Sequence, residues 1–471
     1  MNKKIIITVF MAFYSLLSYP KTENYNITVE LENYNDSIIY LCNYYGNNIY
    51  IIDSATIYKS SFVFSGDSLL PSGVYLIVNK QKSMICDFMI DVNSQNFKLS
   101  TNYNNVINKM EVKNSDINKD FFSYMKFLNF KRAEILPYNN KISELNCDSL
   151  QKIELKSEID KIDKDVNDFT TNIINKNANN ILGLFLKSNL PVLPPILPDS
   201  VNTPKNRYNA YIRNFWDNFT IEDERMLRTP NYDKKLTNFF DKIIIQQNDS
   251  ICITIDRLMK RVENTDAVKK YLLWYFTNKY EHAGIMGQDA VFVYIIDKYY
   301  AGGYDNWSNR TMVQALIDRA NEIRPTLIGS KAANLRLVDT AMKPNNLYDI
   351  NSKYLIIYFW DDDCSHCKAE TPKLVKLYNE RHELYNFDVY GVYTGASVEN
   401  MKQYIIDNNI KWTNAIGNIS PTGDNYEKLY DVSSTPGIFL LDKDRLIIAK
   451  KILIDELGKY LEWIVSKDSN E

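Results

Sequence analysis

The chain predicts a multidomain protein: an N-terminal antiparallel β-sandwich-like domain, a central all-α module and a C-terminal α/β domain. Three observations predict it. Short alternating apolar runs separated by turn residues fill residues 23–105, the apolar period lengthens to a helical one over 116–322, and strands alternate with helices over 325–468. At 471 residues the chain exceeds what one core supports, and roughly two to four domains are expected. A hydrophobic content of 45% and 34 tyrosines argue for packed cores rather than disorder. The net charge of −3, with no long basic cluster, offers nothing for nucleic acid or an anionic membrane surface to recognise.

The first residues read as an address. Lys3 and Lys4 precede the apolar run Ile5 to Leu17, and Ser18 and Pro20 close it. Thirteen residues are too few for a membrane span, which needs ~20, so residues 1–19 are expected to form a cleaved secretory signal peptide. No clean small-x-small pair precedes Tyr19, and the alternative is an uncleaved membrane anchor. No Cys follows the run directly, so lipoprotein attachment is not expected. Export would place the chain in the periplasm or another oxidising space of the cell envelope.

The β region comes next. Ile27 to Leu31 and Ser37 to Leu41 alternate, Asn43 to Asn48 supply a turn, and Ile49 to Ile52 follow. Phe62 to Phe64, Gly73 to Val78 and the face shared by Met84, Cys86, Phe88 and Ile90 complete the set. In the central module Leu155, Ile159, Ile162, Val166, Phe169 and Ile173 form a heptad-like stripe, with Asp148-Ser149 as its start signal. Such a stripe can fold within the chain or between two copies, leaving the oligomeric state open. Further helices are expected at 208–219, 234–246, 266–280, 289–300 and 312–323. The four prolines of Pro191 to Pro198 forbid a helix between the first two groups.

The chemistry is in the last third. Tyr354 to Trp360 reads as a buried strand, Asp361-Asp362-Asp363 as a turn, and Cys364-Ser365-His366-Cys367 as the opening of a helix to Tyr385. A Cys-x-x-Cys at that junction sets the first sulfur over unpaired helix N–H groups, which favours a thiolate, and the second sulfur one turn away. That is an exchangeable dithiol, with Cys364–Cys367 as its redox-active disulfide. A half zinc site is the competing reading, but no second Cys or His pair stands at ligand spacing, so no metal or cofactor is expected. Strands at 389–393, 436–441 and 446–450 and helices at 398–408 and 455–466 complete an alternating α/β pattern.

Residues 325–468 resemble the thioredoxin-like thiol–disulfide oxidoreductases of the TlpA/ResA type. Leu327 to Leu335 resembles that family's lead-in strand, and Trp360 with Cys364-Ser365-His366-Cys367 its active-site strand end and dithiol. Glu370-Thr371-Pro372 and Val432 to Asp442 match its helix and its loop-to-strand segment. The resemblance implies that Cys364 attacks a target disulfide, Cys367 resolves the mixed disulfide, and Thr435 and a cis Pro436 face the dithiol. It also implies a reductant of envelope disulfides fed by a membrane electron donor. An oxidase or isomerase, and a partner-binding module with a thioredoxin-like scaffold, are the alternatives. Residues 23–105 resemble the β-rich domain that precedes many secreted thioredoxin-like domains, on Ile52 to Ala55, Phe62 to Gly66 and Pro71 to Tyr75. The helical module resembles the insert that follows such domains.

Charge at the dithiol points both ways. His366, as imidazolium, would lower the Cys364 pKa, whereas Asp361, Asp362 and Asp363 would raise it unless they form only a solvated loop. Glu370 is either a proton relay to Cys367 or a first-turn carboxylate complementing the helix dipole. Cys42, Cys86, Cys147 and Cys252 allow three pairings, and Cys86 also reads as a buried free thiol.

Overall fold

The computed structural model describes residues 25–143, 149–303 and 308–468, so the expected signal peptide at 1–19 and Cys147 lie outside the described residues. The chain forms two compact units. The first runs to Ile244 and includes Leu258–Tyr271; the second comprises Ile245–Arg257 and Leu272–Glu471.

In the first unit eight strands form two four-stranded sheets. They are β1 (Tyr25–Glu32), β2 (Ile38–Tyr45), β3 (Asn48–Thr56), β4 (Phe62–Gly66), β5 (Gly73–Val78), β6 (Met84–Ile90), β7 (Asn96–Asn102) and β8 (Glu111–Lys113). The orders are β4-β1-β7-β8 and β3-β2-β5-β6. Alternation buries one face of β1 through Tyr25, Ile27 and Val29, while β5 is buried along its whole length. The expected antiparallel pattern has one exception: β1 and β7 run parallel, from Asn26 opposite Asn96 to Glu32 opposite Asn102. The edge strand β6 is closed by a side chain. Asn118 Oδ1 accepts from Met89 N at 2.7 Å and its Nδ2 donates to Met89 O at 2.8 Å, replacing a missing strand partner.

Asn118 belongs to the helix Asp116–Ser143, which pairs with the helix Ser149–Lys176. The heptad-like stripe faces this neighbour: Ile162 and Ile173 are buried, and Phe169 stacks on Phe127 with ring centroids 4.1 Å apart. The stripe is therefore used within the chain. In the central module three helices go beyond those named from the sequence, Asp116–Ser143, Ile181–Ser188 and Asn248–Arg261. The one expected at 208–219 begins earlier, at Pro204, where Thr203 caps it and Pro occupies the first turn.

The second unit contains a seven-stranded sheet in the order β10-β9-β13-β12-β11-β14-β15. Its strands are β9 (Arg336–Asp339), β10 (Pro344–Asn346), β11 (Tyr354–Trp360), β12 (Phe387–Tyr393), β13 (Thr413–Ile416), β14 (Gly437–Leu441) and β15 (Ile447–Lys450). The central β11 is parallel to β12 and antiparallel to β14 and is buried throughout. The helix Ser365–Tyr385 and the closing helix Ile454–Asp468 share one buried core with a face of this sheet. The lead-in strand expected over 327–335 is irregular instead. Gly329 turns with φ +87°, and the segment bonds β15 only piecemeal, through Gly329 N to Ile447 O and Ile447 N to Ser330 O. Among the described residues no helix is long and apolar enough to cross a membrane.

Candidate functional site: a dithiol at a strand-to-helix turn

The buried β11 ends at Trp360, the chain turns through Asp361–Asp363, and the helix Ser365–Tyr385 starts with Cys364 as its N-cap. The first N–H groups of a helix lack backbone acceptors, and an N-cap side chain usually supplies one with oxygen. Here sulfur does so: Cys364 Sγ accepts from Cys367 N at 3.1 Å. The same Sγ donates to Thr435 O at 3.2 Å, and the Thr435–Pro436 peptide bond is cis. Cys364 is partly exposed and Cys367 fully buried one turn in; both are free thiols.

The two sulfurs titrate in opposite directions. Burial opposes ionisation of Cys364, but hydrogen bonds from the Cys367 thiol, the Thr435 side chain and the backbone N–H groups of Cys367 and His366 outweigh it and lower its pKa. Burial raises the Cys367 pKa, and the neighbouring Cys364 adds to the effect. One sulfur is thus prepared to attack and the other is held protonated until a mixed disulfide forms.

The supporting residues divide. Trp360 is fully buried, donates from Nε1 to Asn414 Oδ1 at 3.3 Å, and packs on Tyr393 and Tyr404. His366 is exposed, and its backbone N–H is among the donors to Cys364. The three aspartates do not act as one cluster. Asp361 accepts from Asp363 N at 2.9 Å within the turn, Asp362 accepts from the Tyr393 hydroxyl and from Asn400 Nδ2, and Asp363 is open to solvent. Glu370 faces the closing helix: it accepts from Lys373 Nζ at 2.8 Å and from Ile454 N at 3.2 Å. That makes it an acceptor for the start of Ile454–Asp468. Sequence reasoning missed the layer beneath Cys367, where Tyr404 OH donates to Cys367 O at 3.4 Å and Tyr358 OH meets Thr371 Oγ1 at 2.8 Å. Only the continuous apolar run of β11 hinted that Tyr358 is buried. Beside Pro436 a cleft of about 330 Å³ opens between Ser433, Ser434, Glu370 and Leu453. Among the described residues no group of three or more His, Cys, Asp or Glu side chains could hold a metal ion.

Residues 328–450 match the AhpC/TSA family. The C-terminal domain is a thioredoxin-like thiol–disulfide oxidoreductase of that family. The thiol-disulfide oxidoreductase ResA of Bacillus cereus is 26% identical over 140 residues, which is 30% of this chain and 78% of that protein. A domain of a possible thiol-disulfide isomerase from Cytophaga hutchinsonii is 32% identical, covering 31% of this chain and 97% of that one, with a TM-score of 0.28. The thioredoxin domain of a thiol-disulfide oxidoreductase from Bacteroides vulgatus is 31% identical over 29% of this chain and 97% of its own, with a TM-score of 0.27. Residues 25–121 and 147–325 match two domains of unknown function, DUF4369 and DUF5106.

Proposed function

We propose that the chain is an exported thiol–disulfide oxidoreductase that exchanges disulfides with envelope proteins through Cys364 and Cys367, acting as a reductant. The observation that carries the exchange is the asymmetric dithiol: a partly exposed Cys364 with a lowered pKa, one helical turn before a buried Cys367 with a raised one. The Cys364 thiolate attacks a target disulfide, forming a bond to one target sulfur while the other leaves as a thiolate and takes up a proton. Cys367 gives up its proton and attacks Cys364 Sγ. The Cys364–Cys367 disulfide forms and the second target sulfur is released as a thiol. The target gains two electrons and two protons, and the dithiol loses them.

Export is supported by the basic-then-apolar start of the sequence. The reductant direction is supported by the resemblance of residues 325–468 to the TlpA/ResA type, which implies a reductant. The hydrogen bonds that lower the Cys364 pKa stabilise the reduced form and favour a second reading, an oxidase or isomerase. A redox titration of the Cys364–Cys367 couple separates the two, with Trp360 fluorescence as readout and the other four cysteines replaced. A potential near about −250 mV or lower supports the reductant, which would draw electrons from a membrane donor. One near about −120 mV supports the oxidant. A couple that never titrates overturns the exchange reading.

A further inference from the structure

The loop that presents Thr435 to Cys364 is held from outside the matched thioredoxin-like region. The helix Arg310–Ile323 precedes residues 328–450, and its Arg319 reaches Asp431. Nη1 donates to Asp431 Oδ1 at 2.5 Å and Nη2 to Oδ2 at 3.0 Å; Nη1 also donates to Glu322 at 3.0 Å. A two-pronged guanidinium–carboxylate pair fixes orientation as well as distance. The Asp431 side chain is only 11% exposed and Arg319 32%, so the pair is partly shielded from solvent. Asp431 has φ 51° and ψ 44° and ends the short helix Tyr426–Tyr430, so the clamp sits where the chain leaves that helix. Val432, Ser433 and Ser434 then lead to Thr435, with both serines exposed. The loop packs on the core through Val432 and is otherwise held at one end by Asp431 and at the other by β14. Thr435 in turn accepts from Cys364 Sγ.

We propose that Arg319 is a positioning residue for thiol–disulfide exchange. By clamping Asp431 it sets where Thr435 and Pro436 stand against Cys364, so the helical segment ahead of the thioredoxin-like domain governs the rate of exchange. This rests on Cys364 being the attacking sulfur, as argued above. Small displacements of a positioned group slow reactions strongly, and moving Thr435 also removes its side-chain hydrogen bond, which favours the Cys364 thiolate.

The full chain is assayed for reduction of insulin disulfides with dithiothreitol as electron source, and the pH midpoint of Cys364 alkylation is read by mass spectrometry. Arg319→Ala should slow insulin reduction by about tenfold and move the midpoint upward, while circular dichroism and a cooperative melt show a folded protein. Arg319→Lys keeps the charge but not the fork and should fall between. A folded Arg319→Ala with the parent rate and midpoint overturns the proposal. Should that variant not fold, Asp431→Asn carries the same expectation, and parent values in it overturn the proposal equally. If neither folds, the pair belongs to the fold alone and the proposal falls. Cys364→Ser in the same assay keeps the two ideas apart. Retained activity there defeats the exchange reading itself, whereas lost activity beside a parent-like Arg319→Ala defeats only the clamp.

Discussion

Cysteines in the N-terminal sheets and at the start of the helix Ser365–Tyr385 are all at least partly buried, yet their thiols are pushed in opposite directions. Cys42 on β2 and Cys86 on β6 are buried in one sheet, and burial pushes both pKa values up to about 12. Cys364 feels burial too, but donors at a helix start reverse the sign. Location in a core makes a thiol inert; unpaired N–H groups aimed at sulfur make it reactive. The sheet order also settles one pairing that the sequence left open. β5 lies between β2 and β6, which puts Cys42 and Cys86 two strand spacings apart, ~9.5 Å and beyond disulfide reach.

Serine substitution gives that contrast its sharpest form. At Cys364 a hydroxyl is a better N-cap than a thiol but cannot exchange disulfides, so Cys364→Ser should abolish insulin reduction and leave the melting temperature unchanged or slightly raised. At Cys42 a hydroxyl would be buried in an apolar sheet, so Cys42→Ser should keep full activity and lose about 1–3 kcal/mol in a urea titration. Equal stability losses in the two variants would break the comparison.

Native-state alkylation reads the same difference as a rate. Because the Cys364 pKa lies below the ordinary thiol value, its thiolate persists as pH falls to values where Cys42, Cys86 and Cys367 are protonated. Iodoacetamide at neutral pH should label Cys364 at least about a thousandfold faster than Cys42 or Cys86, the thiolate ratio for pKa values three units apart. The labelling rate of Cys364 should fall as pH drops through its lowered pKa. Comparable labelling of all four thiols in the folded protein would remove the electrostatic part of the argument.

How much of this was legible in the sequence depends on the range of the interaction. The β11-to-helix junction, the dithiol and the stripe from Leu155 to Ile173 are local patterns, set by neighbours within a few residues, and they could be read directly. The lead-in at 327–335 misled because the family resemblance suggested a strand where Gly329 takes a positive φ. His366 and the three aspartates show a different limit of sequence proximity. Proximity in sequence suggested through-space charge effects, whereas the His366 side chain points to solvent and Asp361 and Asp362 are bound within the turn and to Tyr393 and Asn400. The parallel pairing of β1 with β7 and the Arg319–Asp431 clamp join residues about 70 and 112 positions apart, and no local pattern encodes either.

Glu370 offers the smallest and most selective test of whether the dithiol region depends on electrostatic or positional groups. Its carboxylate is 13% exposed and accepts from Ile454 N of the closing helix and from Lys373 Nζ on its own helix, which also reaches Asp455. A residue that anchors a helix should matter for stability, and one that relays a proton should matter for rate. Glu370→Gln keeps an oxygen acceptor for Ile454 N but removes the charge, so it should cost about 1 kcal/mol in a urea titration. Insulin reduction should stay within about twofold of the parent, because a positional role leaves the proton transfers of Cys367 untouched. A folded Glu370→Gln that is slow in exchange, with its rate falling most at low pH, would instead assign the carboxylate to the chemistry of Cys367. It would also show that the buried sulfur depends on a charged partner, whereas the exposed one depends on uncharged hydrogen-bond donors.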